Sequence, residues 1–191
     1  MSKSLHLDEV IEDMNFATLG FKASDFESCL FKRCTFHDLD LGSSVFEECE
    51  FIDCDLSNSK LSNTSLRDVR FNNCKMLGIH FETCHPFLFS VQFTKCQLSL
   101  ASFYQCILKQ SHFQDCQLKD VDFTETDLSK AVFSNCDLEG ALFDRSKLIE
   151  TDFSSAFHYR FDPALNTLKK TRFSKDGLYG LLGKYDIKII D

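Results

Sequence analysis

Large apolar residues recur at every fifth position along most of the chain. They run without a break from Phe16 to Phe81, shift by two positions, and run again from Leu88 to Phe153. Each block holds 14 units, so 28 units of five residues account for 140 positions. We call the large residue of each unit its centre. Small residues lie two positions before most centres, and the remaining three positions are mostly polar.

A period of five fits neither an α-helix nor a straight β-strand. Five steps drift round a helix, and on a strand they place the side chain on the opposite face. Two residues that are two positions apart do share one face of a strand. The pattern therefore predicts short extended segments with two inward side chains, each followed by a bend. Stacked coils of such segments form a solenoid that is stabilised by contacts between neighbouring coils.

Several units match a known repeat closely. The sequences TDLSK over 126–130 and CDLEG over 136–140 read as a small residue, Asp, Leu and two further residues. In this they resemble the pentapeptide repeat family, and the resemblance covers Phe16 to Phe153. It implies an all-β fold, a right-handed quadrilateral β-helix with about 20 residues and four faces per coil. On that basis we expect about seven coils over residues 1–156, and a C-terminal segment over 157–191.

The order of Leu and Phe predicts how the interior is filled. From Leu88 to Phe153 the centres alternate strictly between Leu and Phe. Residues ten positions apart lie on opposite faces of a four-sided coil. We therefore expect Phe columns on two opposed faces and Leu columns on the other two.

The two-residue shift between the blocks lies near residues 82–92. Pro86 cannot donate a ladder hydrogen bond and restricts His85 before it, so we expect a bulge or enlarged corner there. Phe87 and Phe89 would then be partly exposed. Two interpretations stay open, a contact patch and a neutral insertion at a corner.

All ten cysteines occupy the small inward position. Burial as small hydrophobic residues explains every one of them, whereas their spacing departs from zinc-binding patterns. We therefore expect no metal and no cofactor. Many free thiols are typical of a reducing compartment, which predicts a cytoplasmic protein. The ten are Cys29, Cys34, Cys49, Cys54, Cys74, Cys84, Cys96, Cys106, Cys116 and Cys136.

Catalysis, membrane insertion and direct nucleic-acid binding are all disfavoured by the sequence. It has no glycine-rich phosphate loop and no serine elbow motif, and an interior filled with Phe and Leu leaves no pocket. No apolar run reaches about 18 residues, so we expect no membrane span. The net charge of −8 and pI of about 5.2 suit neither DNA nor RNA as a ligand.

The charge is unevenly distributed. Residues 1–87 carry 15 acids and 8 bases, whereas residues 157–191 carry 4 acids and 7 bases. On the four-sided model we expect one acidic face in the first block, with Arg67 as its only base and further acids beside it. A narrow anionic rod suits a groove built for duplex DNA, although a charge run is also typical of a solvated surface. The candidate partner-binding residues are Asp25, Glu27, Glu47, Glu48 and Asp68, with Asp38 and Asp55 adjacent.

The C-terminal segment predicts a helix and then a strand. Ser174 is a candidate N-cap, apolar residues follow at helical spacing, and residues 185–190 alternate like a strand. The segment has more apolar residues than are needed to cover the open end of the solenoid, so we expect it to form a dimer interface in addition to a cap. The candidate interface residues are Leu178, Leu181, Leu182, Tyr185, Ile187 and Ile189.

The tail sequence LLGKYDI over 181–187 resembles the end of Qnr-type proteins, and DPALN over 162–166 with the apolar tail after it resembles the end of McbG. The chain is therefore similar to the Qnr, MfpA and McbG branch of the family. This resemblance implies a homodimer that mimics DNA and binds a bacterial type II topoisomerase, either DNA gyrase or topoisomerase IV. The implied role is to modulate the enzyme or protect it from quinolones or a gyrase toxin. The alternative is a protein-interaction scaffold of the same fold with an unrelated partner.

Overall fold

The chain winds into a stack of about eight four-sided coils whose strands are all parallel. The computed structural model describes residues 3–188 and 190. A residue pairs with the one 20 positions later, as Phe31 does with Phe51. Across the shift the interval becomes 22, as between Val69 and Val91, which confirms the predicted two-residue slip. The quadrilateral β-helix is therefore the fold of this chain.

The strands are short because each side of a coil holds only five residues. In chain order they are β1 (Leu5–Leu7), β2 (Val10–Glu12), β3 (Asp25–Glu27), β4 (Leu30–Lys32), β5 (Val45–Glu47), β6 (Glu50–Ile52), β7 (Ser65–Arg67), β8 (Val69–Asn72), β9 (Val91–Thr94), β10 (His112–Gln114), β11 (Val132–Ser134), β12 (Lys147–Ile149), β13 (Asp152–Phe153), β14 (Thr167–Lys169) and β15 (Arg172–Phe173).

Four faces run the length of the rod, and we number them in chain order. Face I carries β1, β3, β5 and β7, then the slip, then β12 and β14. Face II is a nine-stranded ladder from β2 to β15. Faces III and IV are held by single bridges, such as Asp55 to Lys75 on face III and Asp122 to Leu142 on face IV.

The corners share one backbone conformation. The residue two positions after nearly every centre has a positive φ, between about 50° and 65° for Ser28, Asn58 and Leu100. Only glycine adopts this left-handed region without a steric cost. The chain nevertheless turns here with Asp, Asn, Lys, Gln and other residues, which explains how a solenoid with 7 Gly and 2 Pro can bend so often.

The interior consists of stacked aromatic and aliphatic columns. On face II the rings of Phe113 and Phe133 stack with centroids 4.8 Å apart and 4° between their planes. On face IV Phe103 and Phe123 stack at 5.3 Å. The two columns meet across the interior edge to face, with Phe113 and Phe123 at 5.9 Å and 85°. The prediction of Phe columns on two opposed faces is confirmed.

The small inward positions tie successive coils together. The Thr126 hydroxyl donates to the carbonyl of Phe103 at 2.7 Å, and the Cys136 thiol donates to that of Phe113 at 3.3 Å.

Nine cysteines are buried and Cys106 is half-buried, as their inward phase predicted. Six of them form one column: Cys34, Cys54, Cys74, Cys96, Cys116 and Cys136. Burial raises the pKa of the Cys49 and Cys106 thiols to about 12, so these thiols are protonated and unreactive.

The first coil begins earlier than the run of large apolar residues indicated. β1 pairs with β3, and the ring of His6 stacks on Phe26 with centroids 4.8 Å apart. A four-residue helix, α1 (Phe16–Leu19), follows, and the Asn15 side chain caps it by accepting from the Thr18 N–H. Together with β14 and β15 at the other end, this coil raises the count from about seven to about eight.

The C-terminal segment closes the last coil with a helix. Helix α2 (Leu178–Leu182) is followed by a 3-10 turn over Gly183–Tyr185. The Ser174 hydroxyl accepts from the Gly177 N–H at 3.0 Å, one turn before the helix. Among residues 185–188 and 190 the expected strand is not formed, because the 3-10 turn occupies its start and Asp186 is left-handed with φ of 47°.

Candidate functional site

The acidic part of face I begins with two carboxylates that have basic partners. The Lys3 ammonium lies 3.2 Å from the Asp25 carboxylate. The Arg67 guanidinium donates to the Glu47 carboxylate at 3.0 Å, since β5 pairs with β7 and places these two residues side by side. The spacing of 20 residues between Glu47 and Arg67 already indicates this pair in the sequence.

Three further carboxylates of this face are exposed and unpaired. Within residues 3–188 no basic group lies at ion-pair distance from Glu27, Glu48 or Asp68. Glu48 and Asp68 are left-handed corner residues one coil apart, and Glu27 pairs in register with Glu47. Neighbouring coils are about 4.8 Å apart, so these carboxylates form one compact negative patch. We call Glu27, Glu48 and Asp68 the acidic patch.

Asp38 and Asp55 do not extend this patch. Asp55 is ten residues beyond Val45 of face I, which is two corners of the coil, so it lies on the opposite face III. Asp38 is the left-handed corner residue that follows face III, and the His37 imidazole lies 3.0 Å from its carboxylate. The expectation that both lie beside the acidic face is therefore wrong, and the seven candidates form two surfaces.

Many other aspartates of the rod have a structural role. In the position before a centre, the Asp side chain accepts the backbone N–H two residues later, which fixes the turn. Asp55 does this for Ser57 at 3.0 Å, and Asp122 does it for Thr124 at 2.8 Å. At Asp127 burial opposes the effect, but hydrogen bonds from Ser129 lower the pKa of the carboxyl below its ordinary value. The negative charge of the rod is therefore in part a consequence of the repeat.

The tail divides into a buried and an exposed part. Leu181 is buried against the last coil and belongs to the core, and Leu182 is half-buried. Leu178, Tyr185 and Ile187 are exposed on the outside. Ile189, which the sequence also placed in a dimer interface, lies outside the described residues.

The slip exposes a second apolar surface on face I. Phe87, Leu88 and Ile107 are each about 60% exposed. The Arg67 guanidinium lies over the Phe87 ring, 5.7 Å from its centroid. A shallow cavity of about 310 Å³ lies next to them, lined by Pro86 and Cys106 among other residues. We call Phe87, Leu88 and Ile107 the slip patch.

The described part of the chain offers no metal centre. Within residues 3–188 and 190, no three His, Cys, Asp or Glu side chains are grouped so that they could hold an ion. The same residues include no helix of the length and apolarity that crossing a membrane requires.

Comparison with known proteins identifies the repeat. The family model "Pentapeptide repeat region" matches residues 11–86 and 87–156, which is most of the chain. The chain belongs to the pentapeptide repeat family. No curated protein sequence matches this pentapeptide repeat protein.

Solved structures of other pentapeptide repeat proteins are similar at low identity. Full-length QnrB1, a plasmid-mediated fluoroquinolone resistance protein, is 19% identical with a TM-score of 0.43, and the alignment covers 96% of this chain and all of QnrB1. HetL, involved in heterocyst differentiation regulation in the cyanobacterium Nostoc, is 14% identical with a TM-score of 0.44, covering 91% and 90%. A protein of the Arabidopsis thaliana thylakoid lumen is 23% identical with a TM-score of 0.26, covering 64% and 70%.

Proposed function

We propose that this protein binds the DNA-binding surface of a bacterial type II topoisomerase, DNA gyrase or topoisomerase IV, by presenting an acidic rod in place of DNA. Binding would modulate the enzyme or protect it from a quinolone or a gyrase toxin. The observation that carries the proposal is the acidic patch, three exposed carboxylates without basic partners on one face of the rod. The interaction takes place in the cytoplasm, where such an enzyme acts and where ten free thiols persist.

The acidic patch is electrostatically unfavourable in the isolated rod. Two like charges about 5 Å apart repel by roughly 1 kcal/mol even in water, and salt screens this only in part. A basic surface that covers the patch removes the repulsion and gains attraction. A surface that binds the phosphates of DNA has the required charge, and the field of the rod also speeds the encounter.

The C-terminal resemblance supports the choice of partner. The tail sequence over 181–187 is similar to the end of Qnr-type proteins and residues 162–166 to the end of McbG, which belong to a branch of the family that interacts with gyrase. The overall likeness to QnrB1 contributes nothing beyond the fold, because the identity is 19%. The proposal therefore depends on the acidic patch and on the tail.

Gyrase supercoiling with and without ciprofloxacin tests the proposal. We expect micromolar wild-type protein to change the supercoiling rate or the inhibition by the drug. The variant Glu27→Gln, Glu48→Gln, Asp68→Asn should lose most of this effect, because it removes the unpaired charges with little change in shape. The matched control Asp38→Asn, Asp120→Asn, Asp144→Asn removes three charges elsewhere and should behave like the wild type.

Two results would contradict the proposal. If the wild type changes neither supercoiling nor drug sensitivity, the protein is a scaffold for an unrelated partner. If the acidic-patch variant and the control lose activity equally, only the total charge matters and the patch is not the site.

We propose further that two copies associate through the exposed part of the tail. Leu178 and Ile187 are 44% and 56% exposed, so the outer side of the tail presents large apolar side chains that a second copy would cover. The variant Leu178→Asp, Ile187→Asp should sediment as a monomer at high salt, where the wild type is a dimer. Leu19→Asp is the control, since Leu19 is an exposed leucine at the other end of the rod. If the variant and the wild type sediment alike, the tail only caps the rod.

A further inference from the structure

Face I changes sign along the rod. Its N-terminal half, up to residue 68, carries six acids and two bases, Arg67 and Lys3, whose ammonium lies on Asp25. Its C-terminal half, from residue 107 to 170, carries five lysines and two acids. The acids of the first half are Asp8, Asp25, Glu27, Glu47, Glu48 and Asp68, and the lysines of the second are Lys109, Lys130, Lys147, Lys169 and Lys170.

The lysines of the second half are exposed, and three of them have no acidic partner. Lys109 and Lys147 share the carboxylate of Asp127, at 3.5 and 3.7 Å. Among the described residues no carboxylate lies at ion-pair distance from Lys130, Lys169 or Lys170. Glu150 lies between Lys130 and Lys170 along the same corner of the coils and offsets part of their charge, so this half of the face is positive in net charge.

The sign changes at the slip patch. The ladder of face I ends at β7 and pairing resumes at the bridge between Ile107 and Asp127, because the two extra residues lie within His85–Ser90. Phe87, Leu88 and Ile107 lie at this interruption and are exposed. Along this face, acidic, apolar and basic surfaces therefore follow one another in that order.

This order is complementary to itself when one rod is reversed. A two-fold axis through the slip patch places the acidic half of one copy on the basic half of the other and the two apolar patches on each other. Glu48, Leu88 and Lys130 are left-handed corner residues along the same edge of face I. Glu48 lies two coils before Leu88 and Lys130 two coils after it, so the axis brings Glu48 of one copy opposite Lys130 of the other. We propose that a second copy of this chain docks antiparallel on face I, with the slip patch at the centre of the contact.

The charge distribution of face I favours the antiparallel pair over a parallel pair and over a partner of a single charge. A parallel pair would place carboxylates on carboxylates and lysines on lysines. A uniformly basic or acidic partner would match one half of the face and be repelled by the other. The antiparallel second copy matches both halves and also covers the exposed apolar side chains, which is favourable in water.

The docked copy would cover the acidic patch, so it would compete with the partner proposed above. The contact between two copies on face I is separate from the proposed contact through the tail. Ion pairs at the surface weaken as the Debye length falls from about 10 Å at 0.1 M salt to about 3 Å at 1 M. An apolar tail contact does not weaken in this way.

Sedimentation of charge-reversed variants tests the proposal without any topoisomerase. One variant reverses the acidic patch (Glu27→Lys, Glu48→Lys, Asp68→Lys), and the other reverses three lysines of the second half (Lys130→Glu, Lys147→Glu, Lys169→Glu). All proteins also carry Leu178→Asp, Ile187→Asp, which removes the tail contact. Lysine is compatible with the left-handed corners, since Lys130 and Lys170 already occupy that column.

We expect the parent protein to self-associate at low salt and dissociate at high salt. Each charge-reversed variant should self-associate at least about tenfold more weakly, and an equal mixture of the two should form a heterodimer. Combining both sets in one chain should restore self-association. Phe87→Ser, Leu88→Ser should weaken it at all salt concentrations, and Lys75→Glu on the opposite face should leave it unchanged.

The mixture distinguishes the proposed contact from unfolding, because unfolded variants would not form a heterodimer. The Lys75→Glu control distinguishes it from a general effect of charge. The proposal is overturned if the parent is a monomer at low salt. It is equally overturned if the variants associate as the parent does, or if the mixture stays monomeric.

Discussion

At the scale of single residues, the repeat depends on two side-chain positions that the apolar pattern does not reveal. The left-handed corner follows each centre by two residues, and the aspartate that fixes a turn precedes the centre by one. The sequence predicted a bend after each short extended segment. It could not show the positive φ, because Asp, Lys, Gln and Leu all occupy the corner.

Leu100 allows the conformational cost of a corner to be measured. Its φ is 63° and its side chain is 65% exposed, so little packing is lost on truncation. We expect Leu100→Gly to raise the free energy of unfolding by roughly 0.5–1 kcal/mol, since relief of left-handed strain exceeds the added entropy of glycine. Denaturant unfolding measures it. Ser99→Gly, at a position without positive φ, should destabilise instead, and equal effects at the two positions would refute the explanation.

Substitutions at Asp122 test whether the aspartate before a centre acts through its hydrogen bond to the turn or through its negative charge. Its carboxylate accepts the Thr124 N–H at 2.8 Å. Asp122→Asn keeps an acceptor oxygen and should leave stability nearly unchanged, whereas Asp122→Ala should cost about 1 kcal/mol. Thermal unfolding of the two variants measures the difference. A large loss in the Asn variant would mean that the negative charge itself is required.

At the scale of elements, the coils were predictable and the ends were not. Twenty-eight matching units specify the repeat, but only His6 and Ile11 mark the first half of the first coil, and His6 is not a typical centre. The C-terminal helix was predicted in spite of its glycines. The strand after it was not formed, because alternation in a short segment carries no information about a partner strand.

The glycines of the tail have a packing role that the sequence did not reveal. A Cβ built on Gly180 would lie 1.9 Å from the carbonyl oxygen of Tyr159, so helix α2 approaches the last coil closely only without a side chain there. We expect Gly180→Ala to lift the helix, expose Leu181 and cost about 2 kcal/mol. Limited proteolysis of the tail and thermal unfolding measure this. Tyr179→Ala on the exposed side is the control, and equal protease resistance in all three proteins would contradict the packing role.

At the scale of the whole molecule, the sequence gives the total charge correctly but not its arrangement. Glu47 and Asp25, which the sequence grouped with the candidate partner-binding acids, have basic partners, and Asp38 and Asp55 belong to the opposite face. The column of lysines on face I was overlooked because the regional charge counts averaged over all four faces. Once residues are sorted by their position within the 20-residue coil, both the acidic patch and the lysines can be read from the sequence.

The proposed function makes one claim above all, that the acidic patch occupies a site built for DNA. Binding of the rod to gyrase, measured at equilibrium with and without competing duplex DNA, tests this most directly. We predict that the wild type binds and that DNA displaces it, and that Glu27→Gln, Glu48→Gln, Asp68→Asn binds at least about tenfold more weakly. Equally tight binding by that variant, or binding that DNA does not displace, would contradict the claim.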